Sequence, residues 1–323
     1  MVVMHITRKN IVLISTCLCI LGVIAGIRLA YRESDITPQT TVKIEKSAPV
    51  VVDNNSTVLD FKKAPPFVSA TTTIKTTSIP AADVITARAY LVGDVKTGTI
   101  YFERNSVKAL PVASMSKLIT AIVATDTLSP TTTITVTDLN MSVATDTSKL
   151  ASGEIFTMHE LLYPMLLNSS NNAAEALAST TDRSTFLALM SSYAWEVGAA
   201  TAFFADPSGL DPRNVASAQD LFSLSRYLYN NRPDILELTR VASTSVATTT
   251  EHGAHVFTSI HPFIKDPRFI GGKTGHTTEA GDTMMTLMYI NDHDIVFIIL
   301  GAGSSQRAHD TTLLISLVEK VLK

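Results

Sequence analysis

Ala113-Ser114-Met115-Ser116-Lys117-Leu118-Ile119-Thr120 sets a serine three residues ahead of a lysine and runs on into an apolar stretch with Ala121, Ile122 and Val123. The run predicts a helix opened by Ser114, which puts Ser114 and Lys117 one turn apart on one face. A serine hydroxyl is a weak nucleophile until a neighbouring base takes its proton, and a lysine amine at this spacing reaches it. The helix N-terminus adds unpaired N–H groups and a positive dipole end, both suited to a developing oxyanion. Read alone, the stretch is equally an N-capped surface helix, so its meaning rests on what surrounds it.

Immediately upstream, Ala89-Tyr90-Leu91-Val92-Gly93 and Thr99-Ile100-Tyr101-Phe102-Glu103 alternate around the turn Asp94-Val95-Lys96-Thr97-Gly98, which predicts a β-hairpin. Downstream, Thr133-Ile134-Thr135-Val136-Thr137 predicts a short half-buried strand. Residues 158–229 read as helical. Met158, Leu161, Leu162, Met165 and Leu166 keep helical spacing, with Pro164 predicting a kink or break. A second helix opens after Asn172, a third carries Phe186, Leu187, Met190 and Tyr193, and Ser217 is placed to N-cap a fourth. From Phe269 the pattern returns to strands, with two more over 283–290 and 295–300. A final helix shows Leu313, Leu314, Leu317, Val318 and Val321 on one face. Strands at both ends with helices between predict an α/β fold of the α+β kind, one sheet built from both ends and an all-helical region inserted in the middle. There is no internal repeat.

The N-terminal part reads differently. Residues 11–27 are uncharged and almost wholly apolar, and Leu29, Ala30 and Tyr31 extend the run past Arg28. A span of about 17 to 21 residues is short but sufficient for a membrane helix. Arg8 and Lys9 precede it, which favours a cytoplasmic tip and an extracytoplasmic remainder. No small-x-small cleavage site follows, so an uncleaved anchor over 1–31 is favoured over a signal peptide and secretion. Residues 32–83, rich in Thr, Ser, Pro and Lys, read as an extended linker, and globular character begins at 84, giving a domain over 84–323. The net charge of −3, with no basic stripe, argues against a nucleic-acid partner. The two cysteines, Cys17 and Cys19, both fall in the apolar run, which leaves the rest of the chain without a disulfide or zinc framework. His159-Glu160-Leu161-Leu162-Tyr163 lacks the second histidine of the helical zinc motif, and His252 and His255 read as loop residues. Neither metal nor cofactor is expected.

Three pieces then fall in order: Ser114-x-x-Lys117, Ser169-Ser170-Asn171 between two helices, and Lys273-Thr274-Gly275 on a strand. This ordered trio marks penicillin-interacting serine enzymes. The chain resembles the serine D-alanyl-D-alanine carboxypeptidase family, the low-molecular-weight penicillin-binding proteins, over roughly residues 85–323. The lead-in Pro111-Val112-Ala113, Gly153-Glu154, Ala173-Ala174, Asp206-Pro207-Ser208-Gly209-Leu210, Ser217-Ala218-x-Asp220 and Lys273-Thr274-Gly275-His276-Thr277 carry the resemblance further. It implies a β-lactamase/transpeptidase-like fold, an antiparallel sheet flanked by helices with an all-helical lobe and the active site between them. It implies Ser114 as the acylated nucleophile, Lys117 as its base, and Ser169 as the proton carrier to the leaving D-alanine. Asn171 is implied to hold the substrate peptide, and Lys273 and Thr274 its terminal carboxylate. Gly275 allows close approach, and the N–H groups of Ser114 and His276 form the oxyanion hole. The implied partners are peptidoglycan stem peptides, β-lactam antibiotics as inhibitors, and the membrane through the N-terminal helix.

Ser170-Asn171-Asn172 also reads Ser-x-Asn, but the family pattern of a small residue, then Asn, then Asp or Asn before the alanine favours Ser169. Lys96-Thr97-Gly98 repeats the Lys-Thr-Gly pattern ahead of the serine, inside a hairpin turn, and reads as turn chemistry. One departure is visible: Ser259-Ile260-His261 stands where family members often carry Asn-x-Asn. A β-lactamase of the class that uses a Glu-x-x-x-Asn glutamate is disfavoured, since no such motif lies between Asn171 and Lys273. A DD-endopeptidase cutting cross-links would use the same residues, and a non-catalytic wall-binding module would keep the fold without needing Ser114 or Lys117.

Overall fold

The structure, a computed structural model, describes residues 85–142, 146 and 148–323; the expected anchor and linker lie outside the described residues. The hairpin forms as the alternation predicts, with β1 over Ala89–Asp94 and β2 over Ile100–Arg104. Asp94 closes it: Oδ1 accepts from the N–H of Lys96 (2.8 Å) and Thr97 (2.9 Å), the usual Asp turn chemistry, and Gly98 takes φ +79°. Lys96-Thr97-Gly98 is therefore turn chemistry.

Three long strands follow near the other end of the chain: β3 (Phe269–Thr277), β4 (Gly281–Ile290) and β5 (His293–Ala302). Asn291 and Asp292 both take positive φ between β4 and β5, the geometry that matches the strand twist in a tight hairpin. The sheet order is β2-β1-β5-β4-β3, every neighbouring pair antiparallel, so the two ends of the domain meet in its middle. β4 and β5 are apolar on both faces because both faces are covered. Met285, Leu287, Val296 and Ile298 face the helical layer, while Met284, Met288, Phe297 and Ile299 face the last helix.

The helical layer is built around α1 (Lys117–Thr127), which is buried from Lys117 through Ala124 and accordingly apolar all round. A 3₁₀ turn over Ala113–Ser116 precedes it, so Ser114 sits in that turn instead of opening the α-helix. The reason is local: the Lys117 N–H reaches Ser114 O in an i−3 bond, while Ser116 Oγ donates to Ala113 O at 3.0 Å. The one-turn spacing of Ser114 and Lys117 survives the change. Around α1 pack α2 (Met158–Leu167), α3 (Asn171–Ala178) and α4 (Arg183–Glu196), while α5 (Ala218–Asn231) lies against β1 and β5. Ser217 caps α5 in a reciprocal box with Asp220, as its position predicts.

Pro164 does not break α2, which runs as one helix from Met158 to Leu167. Thr157 and Glu160 hold its start in a capping box, and the apolar Pro164 ring is buried with Leu161, Leu162 and Met165. The Pro164 carbonyl instead accepts from Ser170 N at 2.9 Å. Between the two, Ser169 takes φ +63° just past the end of α2, a left-handed helix stop. Ser170 is the N-cap of α3, its Oγ accepting from Ala173 N at 3.0 Å, which is why α3 begins at Asn171 and not after Asn172.

A short helix and a strand pair carry no clear signal in the sequence. Pro233–Thr239 forms a short helix, α6, opened by its proline, and Ser243–Val246 pairs with His255–Thr258. His255 is thus a strand residue, correcting its reading as loop; its Nε2 lies 2.8 Å from Glu154 Oε1, and His252 stacks on Phe156. The last helix, α7 (Arg307–Val321), packs Leu314, Leu317 and Val318 against the sheet, together with Ile315. Its buried Asp310 accepts from Thr86 N (3.1 Å), Thr86 Oγ1 (2.9 Å) and Ala87 N (2.9 Å), while Arg104 donates to Ile85 O and Ala87 O. The start of the described chain is clasped there. Among the described residues no helix is long and apolar enough to cross a membrane.

Candidate active site

Lys117 is the first residue of α1 and is fully buried. Its Nζ donates to Ser114 Oγ at 2.9 Å, Asn171 Oδ1 at 2.7 Å and Ser208 O at 2.6 Å. Burial pulls its pKa down to about 7, with the negative charges of Asp206, Asp146 and Glu175 acting in the opposite sense. A lysine so tuned is substantially neutral near pH 7 and can take a proton from a hydroxyl in contact with it.

The third acceptor comes from the Asp206–Gly209 turn. Asp206 Oδ1 accepts from Ser208 N (2.6 Å), Ser208 Oγ (2.7 Å) and Gly209 N (2.6 Å), and Oδ2 accepts from Asp211 N (2.6 Å). These bonds aim the Ser208 carbonyl at Lys117. Gly209 takes φ +88°, and a Cβ there would stand 2.0 Å from Ala113 O, so only glycine lets this turn press against the Ser114 turn.

Lys273, on β3 and equally buried, donates to Ser169 Oγ (2.8 Å) and to Thr274 O (2.8 Å). Burial, Lys117 and Arg307 together hold its pKa well below the usual lysine value. The Ser169 hydroxyl, not that of Ser170, is brought to Lys273. Ser170 Oγ is wholly buried, caps α3 and lies 2.7 Å from Asp146 Oδ2. Gly275 is held against the Ser114 turn: a Cβ on it would lie 2.9 Å from Ser114 N and 3.0 Å from Ala113 Cβ. Thr274 is buried beside Lys273. The His276 imidazole is largely exposed, its Nδ1 2.7 Å from Asp282 Oδ1.

Three groups at the site escaped sequence reasoning. Arg307, at the start of α7, donates Nη1 to Gly275 O at 2.8 Å. Asp146 grips the residues on either side of Asn171. His261, in the segment that departs from Asn-x-Asn, is buried with Nε2–H donating to Met285 O at 3.1 Å. Burial, with Lys273 and Arg307 nearby, holds its pKa down to about 3, so it is a neutral support beneath β3. None of the three carries a local motif; their partners are far away in sequence. Among the described residues no group of three or more His, Cys, Asp or Glu is arranged to hold a metal ion.

An antiparallel sheet meeting a helical layer, with a lysine-contacted serine at the seam, defines the penicillin-binding and transpeptidase fold. Penicillin-binding protein D2 of Listeria monocytogenes in its cefotaxime-bound form matches at TM-score 0.64 and 27% identity, over 73% of this chain and 98% of that one. The chain belongs to the D-alanyl-D-alanine carboxypeptidase family, peptidase family S11, whose model matches residues 75–304. It is 28% identical over 244 residues to a D-alanyl-D-alanine endopeptidase of Haemophilus influenzae, covering 72% of this chain and 81% of that protein. It is 29% identical over 213 residues to a D-alanyl-D-alanine carboxypeptidase of Mycobacterium tuberculosis, covering 64% and 72%. The resemblance drawn from the motifs is thereby confirmed at the level of family and fold.

Proposed function

We propose that this protein is a serine DD-peptidase that removes the terminal D-alanine from peptidoglycan stem peptides through an acyl-enzyme on Ser114. The observation that carries the reading is the buried Lys117 amine 2.9 Å from Ser114 Oγ. In the first step Oγ attacks the carbonyl of the D-Ala-D-Ala bond while Lys117 Nζ takes its proton. The oxyanion is received by the N–H groups of Ser114 and His276. Asn171 fixes Lys117 and, with its amide, the substrate peptide. Lys273 and Thr274 receive the terminal carboxylate. As the C–N bond breaks, the Ser169 hydroxyl gives its proton to the departing amine and takes in its place the one that Lys117 received from Ser114. Water then attacks the Ser114 ester, and its proton passes by way of Lys117 to the departing Ser114 Oγ, which restores the neutral amine and the free hydroxyl. The cefotaxime- and ampicillin-bound forms of one relative, penicillin-binding protein D2 of Listeria monocytogenes, support β-lactams as inhibitors.

A second reading, DD-endopeptidase action on cross-links, is favoured by the names of the Haemophilus influenzae and Pseudomonas aeruginosa relatives. The two are separated by incubating the full chain with a stem peptide ending in D-Ala-D-Ala and with a cross-linked dimer. Release of free D-alanine from the first is the expected result. Cleavage of the dimer alone establishes the endopeptidase, and cleavage of neither, in folded protein, refutes both.

The apolar run over residues 11–27, preceded by Arg8 and Lys9, supports placing the protein at the cell membrane with residues 84–323 outside. The full chain is expected to sediment with membranes and to resist a high-salt wash; recovery in the soluble fraction would overturn this placement.

A further inference from the structure

The turn that carries Ser169 and Asn171 is not held by its own helices alone. Ser169 sits at φ +63°, a left-handed conformation that costs a non-glycine residue energy and persists only where the surroundings fix it. On one side, Pro164 O binds Ser170 N. On the other stands Asp146, from the segment between the helix Asp138–Met141 and the strand Ile155–Thr157. Asp146 Oδ2 accepts from Ser170 Oγ (2.7 Å) and Asn172 N (2.7 Å). Oδ1 accepts from Ser148 N (2.7 Å) and Ser148 Oγ (2.6 Å), and Ser170 Oγ also lies 2.9 Å from Ser148 Oγ. One carboxylate thus binds Ser170 and Asn172, the residues on either side of Asn171, whose Oδ1 is the acceptor for Lys117; Ser170 also follows Ser169, whose Oγ is the acceptor for Lys273.

Resting on the reading of Ser114 and Lys117 given above, we infer that Asp146 is a positioning residue for acylation: it locks the Ser169–Asn172 turn in register with both lysines and supplies a fixed negative charge to Lys117. The charge is present across the working pH range. Burial pushes the Asp146 carboxyl up, but hydrogen bonds from Ser148, Asn172 and Ser170 outweigh it and hold the group below the usual carboxylate range. Lys117 is also faced by Asp206 from the turn before α5, Glu175 from α3 and Lys273 from β3, with Arg307 acting on Lys273. Asp146 differs from the other two acids in touching the Ser169 turn directly. Asp206 spends its oxygens on residues 208–211, and Glu175 pairs with Arg183.

The test measures the acylation rate of the full chain in detergent with a fluorescent penicillin, from pH 5.5 to 10, for wild type, Asp146→Asn and Asp146→Ala. Asp146→Ala is expected to acylate roughly 10- to 100-fold more slowly, the scale of a slightly misplaced catalytic group. Asp146→Asn keeps an acceptor for Asn172 N–H and recovers much of that rate. The acid limb of its pH profile nevertheless moves to lower pH, because the charge favouring protonated Lys117 is gone. A purely structural residue would not move that limb. The inference is overturned if Asp146→Asn keeps the wild-type limb, or if folded Asp146→Ala acylates within about twofold of wild type. If Asp146→Ala does not fold, Asp146→Asn decides alone. Absence of any adduct on wild type would instead sink the acyl-serine reading itself, a different outcome from both.

Discussion

Ser114→Ala forms no covalent adduct with penicillin, while the wild-type chain gains the mass of one drug molecule. The expectation follows from which hydroxyls have a base within reach. Ser114 Oγ is 2.9 Å from Lys117 Nζ, an amine that burial pulls down to about 7. Ser116 Oγ donates to Ala113 O, Ser208 Oγ to Asp206, and Ser170 Oγ lies against Asp146 as the α3 cap. Among the described serines, Ser169 is the competitor with a lysine in contact, Lys273 lying 2.8 Å from its Oγ. Removing a nucleophile that works as a unit with its base costs on the order of 10³-fold or more, enough to abolish the adduct on any practical timescale. Intact-mass spectrometry over a time course reads the result. Normal labelling of Ser114→Ala would shift the nucleophile to Ser169. A transient wild-type adduct with steady consumption of the drug would instead mark a β-lactamase.

Lys117→Met should fold and bind but acylate about 10²- to 10⁴-fold more slowly, the range that general-base catalysis supplies. Methionine keeps most of the side-chain length while removing the amine. It leaves Asn171 Oδ1 and Ser208 O without their Lys117 donor, a loss that opposes the relief of no longer burying a titratable amine. The pH profile gives a second handle. The base form of Lys117 is the neutral amine, so wild-type acylation rises with pH through about 7 and falls about tenfold per unit well below it. In Lys117→Met that limb should vanish, leaving a flat, slow profile. A variant that acylates at the wild-type rate would remove Lys117 from the chemistry.

How much of this could be read from the residues alone depended on the distance over which each signal acts. Ser114 and Lys117 declare themselves because a helical turn needs only a three-residue spacing, and a 3₁₀ turn in place of an α-turn leaves that spacing intact. The choice between Ser169 and Ser170 was not decidable from the triplet itself. It turns on one residue adopting a left-handed conformation at the end of α2 and the next becoming a helix cap. Pro164 does not break its helix, which is capped at its start and buried around the proline. His255 looks like a loop residue beside Gly253, yet it begins a strand and meets Glu154 about a hundred residues away, while His252 stays in the loop and stacks on Phe156. Asp146 and Arg307 were invisible for the same reason: their partners are 24 to 32 residues away, and no periodicity joins them.

The clasp at Asp310 has a mechanical meaning. Tension on the chain ahead of Ile85 enters the domain through Thr86 and Ala87, which are moored to Asp310 on α7, and through the carbonyls held by Arg104 on β2. That mooring belongs to the layer packed on one face of the sheet, with Met284, Phe297 and Leu314. Lys117 and the Ser114 turn belong to the opposite layer, with Met285, the cross-strand partner of Lys273. A pull at the entry point is therefore resisted across the sheet from Ser114, and the seam there stays outside the path of the load.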